Sequence, residues 1–318
     1  MAGKSMRVAA VLGVTVIALA GASDAIAKKH HKKPKTLGPV VVATATSAIP
    51  PGPQTAPASA ACPAGTNIVG GGFSTTPKTG VGAITIESHA SGNGWTATAL
   101  NTSPSAGSVT VEAYCRKNAP ALTEVPSTAI VPGATASPPV SGTGTATATC
   151  PAGTHAVAGG FKAAVSVTPV LHGALPISSR RTADAQGWTA AASTGSATPS
   201  SVTSYAYCAK ESVMELASPA ASVTGTNTAQ DVVASPCPAV KVKKKAVKHG
   251  RKRVKKVKRP TTPVAGGFVG PPPTIVPPSD TDTVLAFASL RAAPGWTTTA
   301  VQLGNATGTF TTYAYCAL

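Results

Sequence analysis

The sequence predicts an all-β chain of three tandem small β-sandwich or jelly-roll-like units, each closed by one internal disulfide. Three observations carry that expectation. One set of motifs recurs three times along the 318 residues. Six cysteines fall two to a copy. Between the motifs, residue character alternates with a period of two, interrupted by Pro and Gly clusters that no helix tolerates.

In chain order, residues 1–27 read as a secretory signal. Lys4 and Arg7 supply the positive start, Val8 to Ala20 the apolar run, and Ala25-Ile26-Ala27 the cleavage site. The apolar run is short for a spanning helix, which needs about 20 residues. No cysteine stands directly after the cleavage site and no long apolar run ends the chain, so neither a lipid nor a C-terminal anchor is expected. The expected location is therefore extracellular or envelope-associated. In that oxidising setting six cysteines imply disulfides rather than a metal site, since no C-x-x-C pair or Cys/His cluster is present.

Residues 28–36 form a basic segment. Three units follow, at 37–118, 119–211 and 212–318. The first carries Cys62-Pro63-Ala64-Gly65-Thr66, Gly70-Gly71-Gly72-Phe73, Gly94-Trp95 and Tyr114-Cys115. The second carries Cys150-Pro151-Ala152-Gly153-Thr154, Gly159-Gly160-Phe161, Gly187-Trp188 and Tyr207-Cys208. The third carries Cys237-Pro238, Val264-Ala265-Gly266-Gly267-Phe268, Gly295-Trp296 and Tyr315-Cys316. Trp to second Cys is 20 residues in every copy; first Cys to Phe is 11, 11 and 31. A recurrence of this kind marks a repeat architecture. Because each copy owns two cysteines, the expected bonds are Cys62–Cys115, Cys150–Cys208 and Cys237–Cys316. Each closes a loop worth about 4 kcal/mol in the chain-entropy model.

Within a copy, Val109, Val111, Ala113 and Cys115 share one face of a strand that pairs back on the Trp strand as a hairpin. The C-P-A-G-T segment reads as a strand end and tight turn. The glycines of V-x-G-G-F are expected beneath the Trp ring, where a side chain would not fit. All 13 aromatic residues lie inside the units. Core filling is their expected role. The alternative makes Trp95, Trp188 and Trp296 exposed platforms for sugar rings.

The pattern C-P-A-G-T…V-x-G-G-G-F…G-W-T-x-x-A…Y-A-x-C resembles the repeats of uncharacterised secreted proteins of high-GC Gram-positive bacteria. The resemblance spans residues 37 to 318. It implies an exported β-rich module with a paired cysteine frame, and carries no activity or functional residue with it. The third copy departs from it where the P-A-G-T turn is interrupted.

Charge is concentrated. Of 27 Lys and Arg, two lie in the signal, five in Lys28 to Lys35 and twelve in Lys241 to Arg259, leaving eight against nine carboxylates in the modules. The candidate polyanion-binding residues are those twelve: Lys241, Lys243, Lys244, Lys245, Lys248, Arg251, Lys252, Arg253, Lys255, Lys256, Lys258 and Arg259. Like charges repel, so the insert at 240–259 is expected to be a disordered loop. Neutralised by a polyanion, it would gather Val247, Val254 and Val257 on one helical face. The expected partner is an anionic envelope polymer or lipid surface. Nucleic acid ranks below these, because no aromatic is interleaved for base stacking.

Chemistry is sparse. In Glu87-Ser88-His89, strand neighbours point to opposite faces, so the three side chains are not expected to converge. Asp280-Thr281-Asp282 lacks the other ligands of a calcium loop and reads as a polar turn. No phosphate loop, dinucleotide fingerprint or nucleophile elbow is present. No cofactor, metal or small-molecule substrate is expected, and oligomeric state is not readable. The sequence therefore points to a non-catalytic secreted structural or binding protein. A carbohydrate-binding protein is the alternative, and a secreted hydrolase the third.

Overall fold

The computed structural model describes residues 37–317 apart from 79–81, 137–138, 167–171, 212, 225–228, 235, 249–250, 272–273, 277–279 and 304–306. Residues 1–27, expected to be a signal, and the basic segment at 28–36 lie outside the described residues.

The described chain is all strand and turn, as expected, with no helix among its elements. Each copy contributes six main strands, named here by what they carry. In copy one these are the first strand Val40–Ile49, the second Gln54–Ala61, the Gly strand Thr66–Thr76, the Ser strand Ala83–Ala90, the Trp strand Gly94–Asn101 and the Cys strand Gly107–Lys117. Copy two repeats the order with Thr123–Val131, Gly142–Thr149, His155–Ala163, Leu175–Arg181, Gly187–Thr194 and Ser200–Ala209. Copy three repeats it with Met214–Ala217, Ala229–Val233, Thr262–Val269, Asp280–Ala292, Gly295–Leu303 and Gly308–Ala317. Thr, Val and Ala dominate because alternate residues face the interior. The second strand of copy two, GTGTATAT, alternates buried and exposed along its whole length.

All three expected disulfides are present, with Cα–Cα distances of 5.6, 5.7 and 5.8 Å. They suit an oxidising compartment. The C-P-A-G-T turn is also as expected. Thr66 donates through its backbone N and Oγ1 to the Pro63 carbonyl, and Thr154 does the same to Pro151. The turn needs glycine: Gly65 and Gly153 sit at φ +77° and +78°.

The copies do not close as separate sandwiches. Within a copy, the first, Cys and Gly strands form one half-sheet, and the second, Trp and Ser strands form another. Each half-sheet then continues into a neighbouring copy. The Gly strand of copy one pairs with the Ser strand of copy three, that of copy two with copy one, and that of copy three with copy two. Three large sheets result, each drawn from two copies and related by an approximate threefold. Residues 36–318 therefore cluster as one body. Open edges at the Gly and Ser strands would be a liability in an isolated copy, and the cyclic pairing removes them.

Each seam uses the same parts. The V-x-G-G-F glycines have separate tasks. A Cβ on Gly71, Gly159 or Gly266 would lie 2.0 to 2.1 Å from the Trp ring of its own copy. A Cβ on Gly72, Gly160 or Gly267 would lie 2.4 to 2.6 Å from the carbonyl of Ser289, Ser88 or Ser179 in the neighbouring copy. The Phe that follows reaches the axis. Phe73, Phe161 and Phe268 meet edge to face, with centroids 5.8, 6.4 and 5.8 Å apart. Such contacts add about 0.5–1.5 kcal/mol each beyond area burial.

A tyrosine clasps each seam from the Cys strand. Tyr114 accepts from the Arg291 amide at 2.9 Å, Tyr207 from Ala90 at 2.7 Å and Tyr315 from Arg181 at 2.9 Å. Burial is the main reason all three phenols are held well above their ordinary range. The same rings lie edge-on against the Trp of the neighbouring copy at 5.5, 5.6 and 5.1 Å.

Candidate functional site

The basic insert is a two-stranded antiparallel ribbon, Ala239–Lys248 paired with Arg251–Pro260. Over its described residues this corrects the expectation of a disordered loop at 240–259; the helical stripe is expected only with a polyanion bound. The local reason is where the insert begins and ends. Cys237-Pro238 and Thr261 keep the turn contacts of the sister copies, with Thr261 Oγ1 donating to the Pro238 carbonyl at 2.6 Å and its amide at 3.3 Å. The ribbon thus replaces the Ala-Gly of C-P-A-G-T. The insert therefore leaves the body and returns to it at one turn.

The register fixes which residues share a face. Lys241, Lys243 and Lys245 lie on one face with Lys252, Lys256 and Lys258. Lys244 and Lys248 lie on the other with Arg251, Arg253, Lys255 and Arg259. Each face therefore holds six of the twelve. Val247 and Val254 belong to the first face, Val242 and Val257 to the second, so no apolar face exists to dock on the body. Among the described residues, no strand of the three sheets packs along the ribbon.

Four register pairs oppose like charges: Lys241–Lys258, Lys243–Lys256, Lys244–Lys255 and Lys248–Arg251. Directly opposed like charges destabilise a strand pair, and an isolated two-stranded hairpin is marginal in water. The ribbon is therefore a basic element whose own electrostatics oppose its pairing.

Trp95, Trp188 and Trp296 do not form platforms. They are 3, 0 and 1% exposed. Each indole N–H donates to the Ser strand of its own copy, at Ser88, Ser179 and Ser289. Gly159 lies beneath Trp188 as expected, but Gly160 faces the neighbouring copy instead.

Ser88 faces inward to Trp95, whereas Glu87 and His89 share the outer face, 2.6 Å apart. Glu87 also accepts from Thr98 and Lys162. The hydrogen bond from His89, ahead of the opposing cost of burial, pulls its carboxyl down to about 2. His89 stacks on Tyr205 at 4.4 Å. This cluster is an ion-paired seam between copies one and two, and Ser88 points away from it. Asp280 and Asp282 begin a strand rather than forming a turn, and His155 pairs with Gln186 at 3.0 Å.

A groove of about 460 Å³ runs beside the same seam, lined by Asn67, Asn93, Leu122, Glu124 and Tyr207 among others. Both asparagines are committed to the fold: Asn67 donates to the Ala119 carbonyl, and Asn93 bonds Thr66 and Ile68. At one end of the axis, Val69, Val157 and Val264 line a small apolar mouth of about 70 Å³. Among the described residues no group of three metal-ligating side chains converges, and no helix is long and apolar enough to cross a membrane. No family model and no curated protein matches the chain.

Proposed function

We propose that the protein is an exported, non-catalytic structural or binding protein of the cell envelope or matrix, attached to polyanions through its basic segments. The body formed by the three copies serves as a rigid carrier. The ribbon serves as the attachment element, and Lys28 to Lys35 adds to it. The reading needs no cofactor and no small-molecule substrate.

One observation carries it. Twelve of 27 cationic residues stand in a single ribbon inserted into a turn that the sister copies make without it. Folding has no use for those charges, and their mutual repulsion is a standing cost. Near an anionic surface each Lys or Arg adds up to about 1 kcal/mol, screened by salt. Export is supported by the signal-like residues 1–27 and by the three disulfides.

The test replaces residues 239–260 with the Ala-Gly of the sister copies, restoring C-P-A-G-T. Retention on an anionic-polymer resin across a salt series is compared with wild type. The reading expects an unchanged melting temperature and a sharp loss of retention and of salt dependence. Unchanged retention would refute it.

A further inference from the structure

We infer that the ribbon recognises a flexible linear polyphosphate or polyphosphodiester that covers both of its faces, rather than a flat anionic membrane. The inference rests on the attachment reading above and specifies its partner.

Charge placement distinguishes the two partners. The register divides the twelve Lys and Arg six and six between the faces. A bilayer is flat and meets one face at a time. The two faces of a β layer with its side chains are separated by about 10 Å, and the Debye length at physiological salt is about 8 Å. Charges on the far face would therefore be largely screened from a membrane. A membrane-docking strand pair would be expected to gather its cations on one face and its valines on the other, and this ribbon does neither.

The like-charged rungs point the same way. Lys241–Lys258 and Lys243–Lys256 lie on the first face; Lys244–Lys255 and Lys248–Arg251 lie on the second. A flat surface relieves two of these four repulsive pairs. A polymer that passes over both faces relieves all four and holds the strands together. The ten-residue strands give it a track of about 33 Å. The ribbon contains no aromatic residue, so recognition is of phosphates and not of bases.

The experiment uses the full chain and two six-fold variants, one with every Lys on the Lys241 face changed to Gln, the other with every Lys and Arg on the Lys244 face changed to Gln. The probes are inorganic polyphosphate, single-stranded oligothymidylate of matched charge, and phosphatidylglycerol vesicles. With polyphosphate, each variant should flatten the log–log salt slope by about 4, at about 0.7 per neutralised phosphate. The two losses should be equal, oligothymidylate should behave alike, and vesicles should be held more weakly. Loss on one face only, with vesicles bound as tightly as polymer, would overturn the two-face inference and leave attachment standing. Base-dependent tightening on the oligonucleotide would overturn phosphate-only recognition. Wild-type binding by both variants would overturn the attachment reading itself.

Discussion

Changing Gly160 to Ala puts one methyl group into the seam between copies one and two. The new Cβ would lie 2.4 Å from the Ser88 carbonyl oxygen and 2.8 Å from His89 Cα and Cβ. Ordinary contact begins near 3.4 Å, so the strands must part by about 1 Å. None of the clashing atoms is the free end of a flexible side chain. The seam has only two register pairs, Phe161 with Ser88 and Lys162 with Glu87, so it has little length over which to spread the strain. Overpacking costs about 1–3 kcal/mol, and a weakened Tyr207–Ala90 hydrogen bond about 0.5–1.5 more. A total of about 2–4 kcal/mol is expected. The assay is equilibrium unfolding in guanidinium with the disulfides intact, with Gly72→Ala and Gly267→Ala beside it as the equivalent changes at the other seams. All three should lower the midpoint by similar amounts, and exposed Thr128→Ala should stay within about 0.5 kcal/mol of wild type. A Gly160→Ala protein with an unchanged midpoint would refute the shared-sheet seam.

Trp188→Ala should cost about 3–5 kcal/mol, because the ring is fully buried and its loss orphans Ser179 and the edge of Tyr315; calorimetric melting checks it, and a retained melting temperature would contradict the core role. Glu87 should make the seam acid-sensitive. Its carboxyl ionises at about 2 when folded and near 4.5 when free, so between those values the unfolded chain binds more protons and stability falls as pH falls. With allowance for solvent screening the effect is about 1–2 kcal/mol, and Glu87→Gln should flatten the stability profile over that window.

Much of this fold was legible in the repeat. Two cysteines per copy gave the pairing of the disulfides, but the hairpin expected from the fixed Trp-to-Cys spacing is not formed: the Trp strand pairs with the second and Ser strands, and the Cys strand with the first and Gly strands of the other half-sheet. A glycine opposite a tryptophan gave the close approach at Gly71, Gly159 and Gly266. The cyclic exchange of strands was not legible. Alternation reports which face of a strand is buried, and says nothing of whether the next strand belongs to the same copy or another. Gly160 carried a signal that was misassigned, since two adjacent glycines on a strand point to opposite faces and cannot both lie under one ring. The ribbon was missed because repulsion among its charges was weighed without its anchorage. Thr261 held the clue, as the displaced last residue of C-P-A-G-T. The face division of the twelve cations needed the register, which no composition supplies.

The shared-sheet body is the carrier on which the whole account depends, and scanning calorimetry of the full chain tests it most directly. If the three copies are parts of one ring, unfolding is a single transition with calorimetric and van't Hoff enthalpies in a ratio of about 1. Three beads on a string would instead give a ratio of about 3, or three resolved transitions, and either result would contradict the account.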